Sequence, residues 1–454
     1  MVEWDKTIVG APSRTMPLLA VILTACAHYS PAPLAEAPML SATLPATADN
    51  PAGPLGVADV VALAVARDPD LVAARTKAGV AQAQLIQAGV LPNPSLTGAL
   101  LPLVAGAGTV PAWNLGLAQD IKSLLVYKPK RRAARDSVGQ VRADLLWQEW
   151  QVAGQARQLA VDIIAREQTR PLLDEAVRIL GHRQRVTQAA LAAGNATLVT
   201  AAPSAVGFQQ ARTTLQTLDQ TQLQDRHKLN ALLGLAPDAP LSLRTAVDLP
   251  PFDLTAARAG VTTLADRRPD LLALRFGYAA QDEGLRAAIL SQFPDLILGA
   301  TGSSDSSKVI NVGPNAQVGL PLFDHNQGNI AIARATRAQL RAEYAARLTN
   351  ATGEIGALLD EMAQLQRQLD LVERDLPAAR LAASRAAAAF GAAALDERAY
   401  VDLITNRFTK EQELATLRLA LLDRQVAVST LLGLGLPGVE TLGLVDPGTR
   451  GAAR

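Results

Sequence analysis

Asp68-Pro69-Asp70-Leu71 and Arg268-Pro269-Asp270-Leu271 are one phrase written twice, 200 positions apart. Each copy sits early in an Ala/Gln/Leu stretch with apolar positions at helical spacing, as in Leu71, Ala74, Ala78, Ala81 and Leu85. Three further pairs follow in the same order: Leu91-Pro92 with Phe293-Pro294, Leu115-Gly116-Leu117 with Val318-Gly319-Leu320, and Leu232-Leu233-Gly234-Leu235 with Leu431-Leu432-Gly433-Leu434. All offsets lie between 199 and 203, which marks an internal duplication.

Each copy reads as the same series of parts. A helix over 57–90 or 257–291 leads into two short alternating segments, 94–104 with 112–120 and 295–303 with 308–321. The turns between them are Ala105-Gly106-Ala107-Gly108 and Gly302-Ser303-Ser304-Asp305-Ser306-Ser307. A very long helical stretch follows, about 130–190 and 328–390, and then a helix of about 37 residues ending in Leu-Leu-Gly. Roughly 60 helical residues span on the order of 90 Å. Pro171 and Pro377 fall inside the long stretches and are expected to kink or break them. The resulting division is a leader over 1–25, a tether over 26–55, a first repeat over 56–235, a linker over 236–255, a second repeat over 256–436 and a tail over 437–454.

Composition limits what these parts can do. Lys and Arg total 43 against 42 Asp and Glu, so nothing in the charge favours nucleic acid as a partner. Aromatics are 4% of the chain, and Ala, Leu, Gln and Arg dominate, as suits long helices in close contact. No apolar run reaches the roughly 18 residues of a membrane-spanning helix. Any spanning segment must therefore be a strand of a closed barrel. Leu115 and Leu117 alternate with Asn114, Gly116 and Ala118, which fits lipid on one face and a wet lumen on the other. Two hairpins give four strands, which cannot close by themselves, and open edges in lipid cost several kcal/mol per unsatisfied group. Three chains would supply twelve strands. Small residues on two sides, as in Ala386-Ala387-Ala388-Ala389, let each long helix pack against neighbours on both sides. The fold expected is mainly α, a duplicated long-helix barrel with four β-strands per chain in a trimeric twelve-stranded barrel. A lipid-anchored periplasmic coiled-coil scaffold is the alternative from another class.

Enzyme chemistry has no inventory here. His28, His182, His227 and His325 lie far apart without metal-ligand spacing, and there is no nucleophile elbow, phosphate loop or dinucleotide fingerprint. No cofactor is expected beyond a covalent lipid. The apolar run Met16 to Ala25 is of signal-peptide length and ends in Leu23-Thr24-Ala25-Cys26, which resembles the bacterial lipobox, with Cys26 as the lipidated residue. A buried cysteine in an N-terminal helix is the other reading. By resemblance to Gram-negative lipoproteins, Ala27 after the cysteine points to the outer membrane.

From residue 55 to 436 the chain resembles the TolC-like outer-membrane efflux protein family. Val318-Gly319-Leu320-Pro321-Leu322-Phe323-Asp324 looks like that family's junction between second hairpin and long helix, and Arg268-Pro269-Asp270-Leu271 resembles its helix start. The first junction departs, with Ala118-Gln119-Asp120-Ile121 in place of Pro-Leu-Phe. The resemblance implies a homotrimer in the outer membrane, with a helical tunnel across the periplasm that docks on an inner-membrane pump through a periplasmic adaptor. It implies passive export of drugs, metal ions or other toxic solutes. An exit duct for protein secretion is the alternative within the class.

In such channels the tunnel narrows at the periplasmic tip, where acidic rings concentrate cations. Asp402 matches the first acidic position of the family's pattern, and Thr405 stands where a second acid often sits. A solvated carboxylate near the helix start is the competing reading of Asp402. Lys128, Lys130, Arg131 and Arg132 cluster where the first hairpin meets its long helix, within reach of lipid phosphates or simply solvated. Asp402→Ala is expected to widen the cation selectivity of the channel in a planar bilayer. Unchanged selectivity would remove Asp402 from the constriction.

Overall fold

In the computed structural model, the described residues are 29–34, 36–37, 40–44 and 53–436. Cys26, the leader over 1–25 and the tail over 437–454 lie outside them. The chain divides into two units after Leu40, and the described helices and strands all lie in the second.

The first repeat comprises α1 (Val57–Arg67), α2 (Pro69–Ala88), β1 (Ser95–Leu101), β2 (Ala112–Asp120), α3 (Ile121–Ala192) and α4 (Leu198–Leu232). The second comprises α5 (Leu254–Gly260), a 3-10 turn (Val261–Thr263), α6 (Leu264–Arg267), α7 (Pro269–Leu290), β3 (Leu296–Ser304), β4 (Ile310–Val318), α8 (Gln327–Gly391) and α9 (Glu397–Leu432). The single helices expected over 57–90 and 257–291 are therefore broken. The cause is the repeated proline: its ring excludes the α-region for the preceding residue, and Asp68 (ψ 123°) and Arg268 (ψ 122°) are both extended.

The two copies stabilise this break differently. Asp68 Oδ1 accepts the Leu71 N–H at 2.8 Å as an N-cap. Arg268 has no such oxygen. Its guanidinium instead donates to both oxygens of Asp270, Nε to Oδ1 at 3.0 Å and Nη2 to Oδ2 at 2.8 Å, and Asp270 Oδ1 accepts the Leu271 N–H at 2.9 Å. Arg268 also lies over the Trp147 ring at 4.7 Å, so the buried charge is paired and stacked. Arg347 reaches Asp270 from α8 at 3.3 Å. Burial, and then the Asp270 charge, hold the neighbouring Asp144 carboxyl above its usual pKa.

The helices run through Pro171 and Pro377 without interruption, against the expected break. The 72-residue helix also contains Pro129, and two lost hydrogen bonds there, or one in the 65-residue helix, are tolerable where the helix is clamped by neighbours. The chain packs in two pairs, α3 with α4 and α8 with α9, while α7 lies along both α3 and α8. Two apolar clusters mark the repeat. Val60, Ala64, Ile163, Ile164, Leu229 and Leu233 form one, and Ala257, Leu264, Leu271, Ile355, Val428 and Leu432 form the other.

The strands form one antiparallel sheet in the order β1-β2-β3-β4, so the hairpins of the two repeats join through β2 and β3. Register explains the sheet's chemistry. Leu100, Trp113, Ser304 and Ile310 are successive partners, as are Leu96, Leu117, Ala300 and Pro314. Partners share a face, so this face is almost wholly apolar. The opposite face carries Thr97, Asn114, Gly116, Thr301, Ser303, Asn311, Asn315 and Gln317. Leu96, Leu100, Ile310 and Val312 are all more than 65% exposed, as expected of strands meant for lipid.

Strand ends differ from the expected ones. Gly302, Ser303 and Ser304 are not turn residues but belong to β3, because β2 and β4 pair with them on both sides. The turn is closed by Asp305, whose Oδ1 accepts the N–H groups of Ser307 and Val309. β1 has seven residues and the other three strands nine each.

The two strand-to-helix junctions are not alike. At the first, β2 passes directly into α3, with Asp120 as both last strand residue and N-cap, accepting the Ser123 N–H at 3.2 Å. The first long helix therefore starts at Ile121 and not near 130. At the second, Pro321 cannot continue a strand, and residues 319–326 form a separate connection. That connection ends at Asn326, left-handed at φ +61°, whose Nδ2 donates to Ala288 O at 2.7 Å.

Gly433, in the second Leu-Leu-Gly ending, has φ +69° and lies so close to Trp150 that an added Cβ would meet the ring at 2.1 Å. Gly234, in the first, has φ +64° but nothing nearer than 3.6 Å. Gly234→Ala is expected to destabilise by about 1 kcal/mol, the cost of left-handed backbone alone. Gly433→Ala should cost about 1–3 kcal/mol more, because buried Trp150 must move. Thermal melting of the two variants measures the difference.

Candidate functional site

Both long helix pairs turn at a tip built to one pattern. Asn195 N–H reaches back to Ala190 O and Ala394 N–H to Ala389 O, each at 2.8 Å, with Gly194 (φ +75°) and Ala393 (φ +55°) left-handed between them. Each outgoing helix then has a side-chain cap. Thr197 Oγ1 accepts the Thr200 N–H at 3.4 Å, and Asp396 Oδ1 accepts the Ala399 N–H at 2.7 Å.

Just above the second tip, Arg183 of α3 binds Glu397 of α9, Nε to Oε1 at 3.2 Å, and its guanidinium stacks on Phe390 at 4.4 Å. Phe390 and Tyr400 are themselves stacked, 4.6 Å apart at 19°. Beneath them, Val401, Ile404 and Phe408 bury against Ala176, Leu180 and Ala383. Close approach of α3 to α4 relies on Gly181, where a Cβ would meet the Phe208 ring at 2.8 Å.

Further along is an ionic bridge joining three helices. Arg407 of α9 donates through Nη2 to both oxygens of Glu175 on α3 at 3.3 Å, and through Nε to Glu411 at 3.3 Å. Arg380 of α8 donates to the same Glu411 oxygen at 2.7 Å. Glu411 is 7% exposed, so both guanidinium groups are needed to offset its desolvation. Burial acts to lower the Arg407 pKa, but the bonds from Glu411 and Glu175 outweigh it and hold the charge firmly. Ser384, Tyr400, Arg407 and Glu411 line a groove of about 450 Å³ here.

Of the residues singled out from the sequence, Asp402 and Thr405 fall near this bridge but not within it, and the basic cluster lies at the other end of α3. Asp402 is exposed, on the first turns of α9, with Arg398 at 3.9 Å. Thr405 is half-buried on another face, its Oγ1 shielded and without a hydrogen-bond partner, beside Gly207 of α4. Lys128, Lys130, Arg131 and Arg132 lie near the start of α3, and Arg132 is 3.6 Å from Glu283 of α7. Nearby, Lys122 meets Asp295 at 2.7 Å and ties the two hairpin bases together. Sequence reading missed Arg183, Glu175, Arg380, Arg407 and Glu411. Only the i,i+4 spacing of Arg407 and Glu411 signalled a pair, since Glu175 is 232 residues from Arg407. Among the described residues, no group of three or more His, Cys, Asp or Glu could hold a metal ion, and no helix is long and apolar enough to cross a membrane.

Comparison with known proteins agrees with this architecture. Residues 261–434 match the family model of outer membrane efflux proteins. The Campylobacter jejuni CmeC outer membrane channel shares the fold at TM-score 0.71 and 16% identity, over 87% of this chain and 90% of that one. A membrane protein from Pseudomonas aeruginosa does so at 0.70 and 19%, over 85% and 96%. The open state of the Neisseria gonorrhoeae MtrE outer membrane channel does so at 0.65 and 16%, over 90% and 98%. No curated protein matches by sequence. The family match thus falls on the second repeat, and the chain as a whole shares the fold of these outer membrane channels.

Arg407→Ala is expected to unlink α9 from α3 and leave Glu411 held by Arg380 alone. Single-channel recording should then show a higher conductance or open probability than the parent. A conductance equal to the parent's would assign the bridge to stability only.

Proposed function

We propose that three copies of this chain form a passive duct that receives small toxic solutes from an inner-membrane pump and a periplasmic adaptor and releases them outside the cell. The observation that carries this is the sheet: four strands with one apolar and one polar face, and two edges, β1 and β4, unpaired within the chain. Joined edge to edge, three such sheets close a twelve-stranded barrel with lipid outside and water inside.

The helices support the same assembly. In the second repeat α7 packs on both α3 and α8, whereas its counterpart α2 packs chiefly on α3. Val72, Val80 and Ile86 of α2 are each more than half exposed. The duplication supplies a template for what covers them: α8 of the next copy, as α8 covers α7 within the chain.

The exposed tip carboxylate Asp402, three times over, suits a cation-selective constriction, with Thr405 behind it. Lys128, Lys130, Arg131 and Arg132, following exposed Leu124 and Leu125, suit contact with lipid phosphates below the barrel. A lipid on Cys26 would add a second hold on the membrane.

Purified full-length protein in detergent is expected to run as a trimer by light scattering and to conduct ions in a planar bilayer. A monomer without conductance would overturn the reading. Ile86→Asp should shift the trimer toward monomer, while Lys77→Ala, also on α2, should leave it intact.

A further inference from the structure

Far from the tips, a pair of carboxyl groups crosses from one repeat to the other. Asp162 lies midway along α3 and Asp423 near the end of α9. The two side chains converge on one donor. The Gln158 amide holds both, donating to Asp423 Oδ1 at 2.5 Å and to Asp162 Oδ1 at 3.4 Å. Two ionised carboxylates drawn to one amide repel each other, and a single proton on the pair removes that repulsion.

The surrounding charges leave room for that proton. From α3, Arg166 Nη1 is 3.6 Å from Asp162 but 2.5 Å from Asp225 of α4, which therefore takes most of its charge. Lys228 of α4 also turns to Asp225, at 3.3 Å. Arg424 of α9 is drawn to Glu361 of α8 at 2.6 Å. From α1, Asp59 is occupied by Gly56 N–H at 2.9 Å and Arg244 at 3.7 Å, while Val60 and Ala64 face the core. Three carboxylates thus share one well-placed guanidinium.

We infer that Asp162 and Asp423 form a proton-operated clasp between the two repeats, closed while the pair holds one proton and loosened when it is lost. Burial is the main reason that the Asp162 carboxyl is pushed up to about 6, with the charges of Asp423 and Asp225 adding to it and Arg166 opposing it. Burial raises Asp423 as well. Because the folded pKa lies above the unfolded one, the folded chain binds this proton more tightly. The clasp therefore adds stability below about pH 6, and that contribution is lost as pH rises through this value. α3 and α9 also carry the Arg407–Glu175 bridge, 16 residues from Asp423, or about 24 Å along the helix. Loosening the clasp frees the same two helices that the bridge ties together.

Infrared titration of the intact protein tests the clasp whether or not the channel conducts. A protonated-carboxyl C=O band is expected with a midpoint near pH 6, lost in Asp162→Asn and moved to lower pH in Asp423→Asn, where Asp162 stays buried but loses the neighbouring charge. In bilayers, open probability should be lower at about pH 5.5 than at about pH 7.5 in the parent, and flat in Asp423→Asn. Should those variants not fold, Asp225→Asn, which frees Arg166 for Asp162, should lower the infrared midpoint by about one pH unit. No band titrating near pH 6, a band that survives in Asp162→Asn, an unmoved midpoint in Asp423→Asn or Asp225→Asn, or equal pH profiles for the parent and Asp423→Asn would overturn the inference.

Discussion

Unpaired backbone groups at the outer edges of β1 and β4 govern the rest of this molecule. A lone chain cannot satisfy them in hydrocarbon, where each exposed N–H or C=O costs several kcal/mol. In the assembly proposed, the sheet meets copies of itself, and the long helices that leave it pack around a common axis. Their small, polar-flecked surfaces follow from this, because a helix with neighbours on two sides and water on a third cannot have a single apolar stripe. The wall is held instead by close approaches at glycine and alanine and by ion pairs between helices.

Duplication sets how much of that can be done within one chain. The pairing of β2 with β3 joins the hairpins of the two repeats, and α7 fills the groove between α3 and α8. What the second repeat completes internally, the first leaves open at α2. The near-repeat thus fills this contact within the chain at α7 and leaves it unfilled at α2.

Much of this was legible in the chain itself. The matched Pro-Asp-Leu and Leu-Leu-Gly phrases gave the element order, and period-2 alternation around Leu115 gave the apolar and polar faces that the register extends to all four strands. The breaks at Asp68 and Arg268 were readable in principle from the prolines after them, but helical periodicity carries across a break and hides it. α3 and α8 stay helical through Pro171 and Pro377, because long helices packed along their neighbours tolerate the loss of single hydrogen bonds, a tertiary effect with no local mark. The tip residues divide the same way. Asp402 stood out because it matches a local pattern, whereas Arg183, Glu175 and Arg380 find their partners only when distant helices meet. Charge inventory alone gives no sign that Asp162 and Asp423 face each other.

The unequal strand-to-helix junctions have a mechanical consequence. Where Asp120 ends a strand and caps a helix at once, rotation of α3 passes into the sheet as through a welded joint. Where Pro321 through Asn326 intervene, rotation of α8 is taken up by a short compliant link before it reaches β4. Around a threefold ring, stiff and yielding struts would alternate six times. Torque generated among the helices would then reach the membrane through three of them, leaving the other three to absorb the difference.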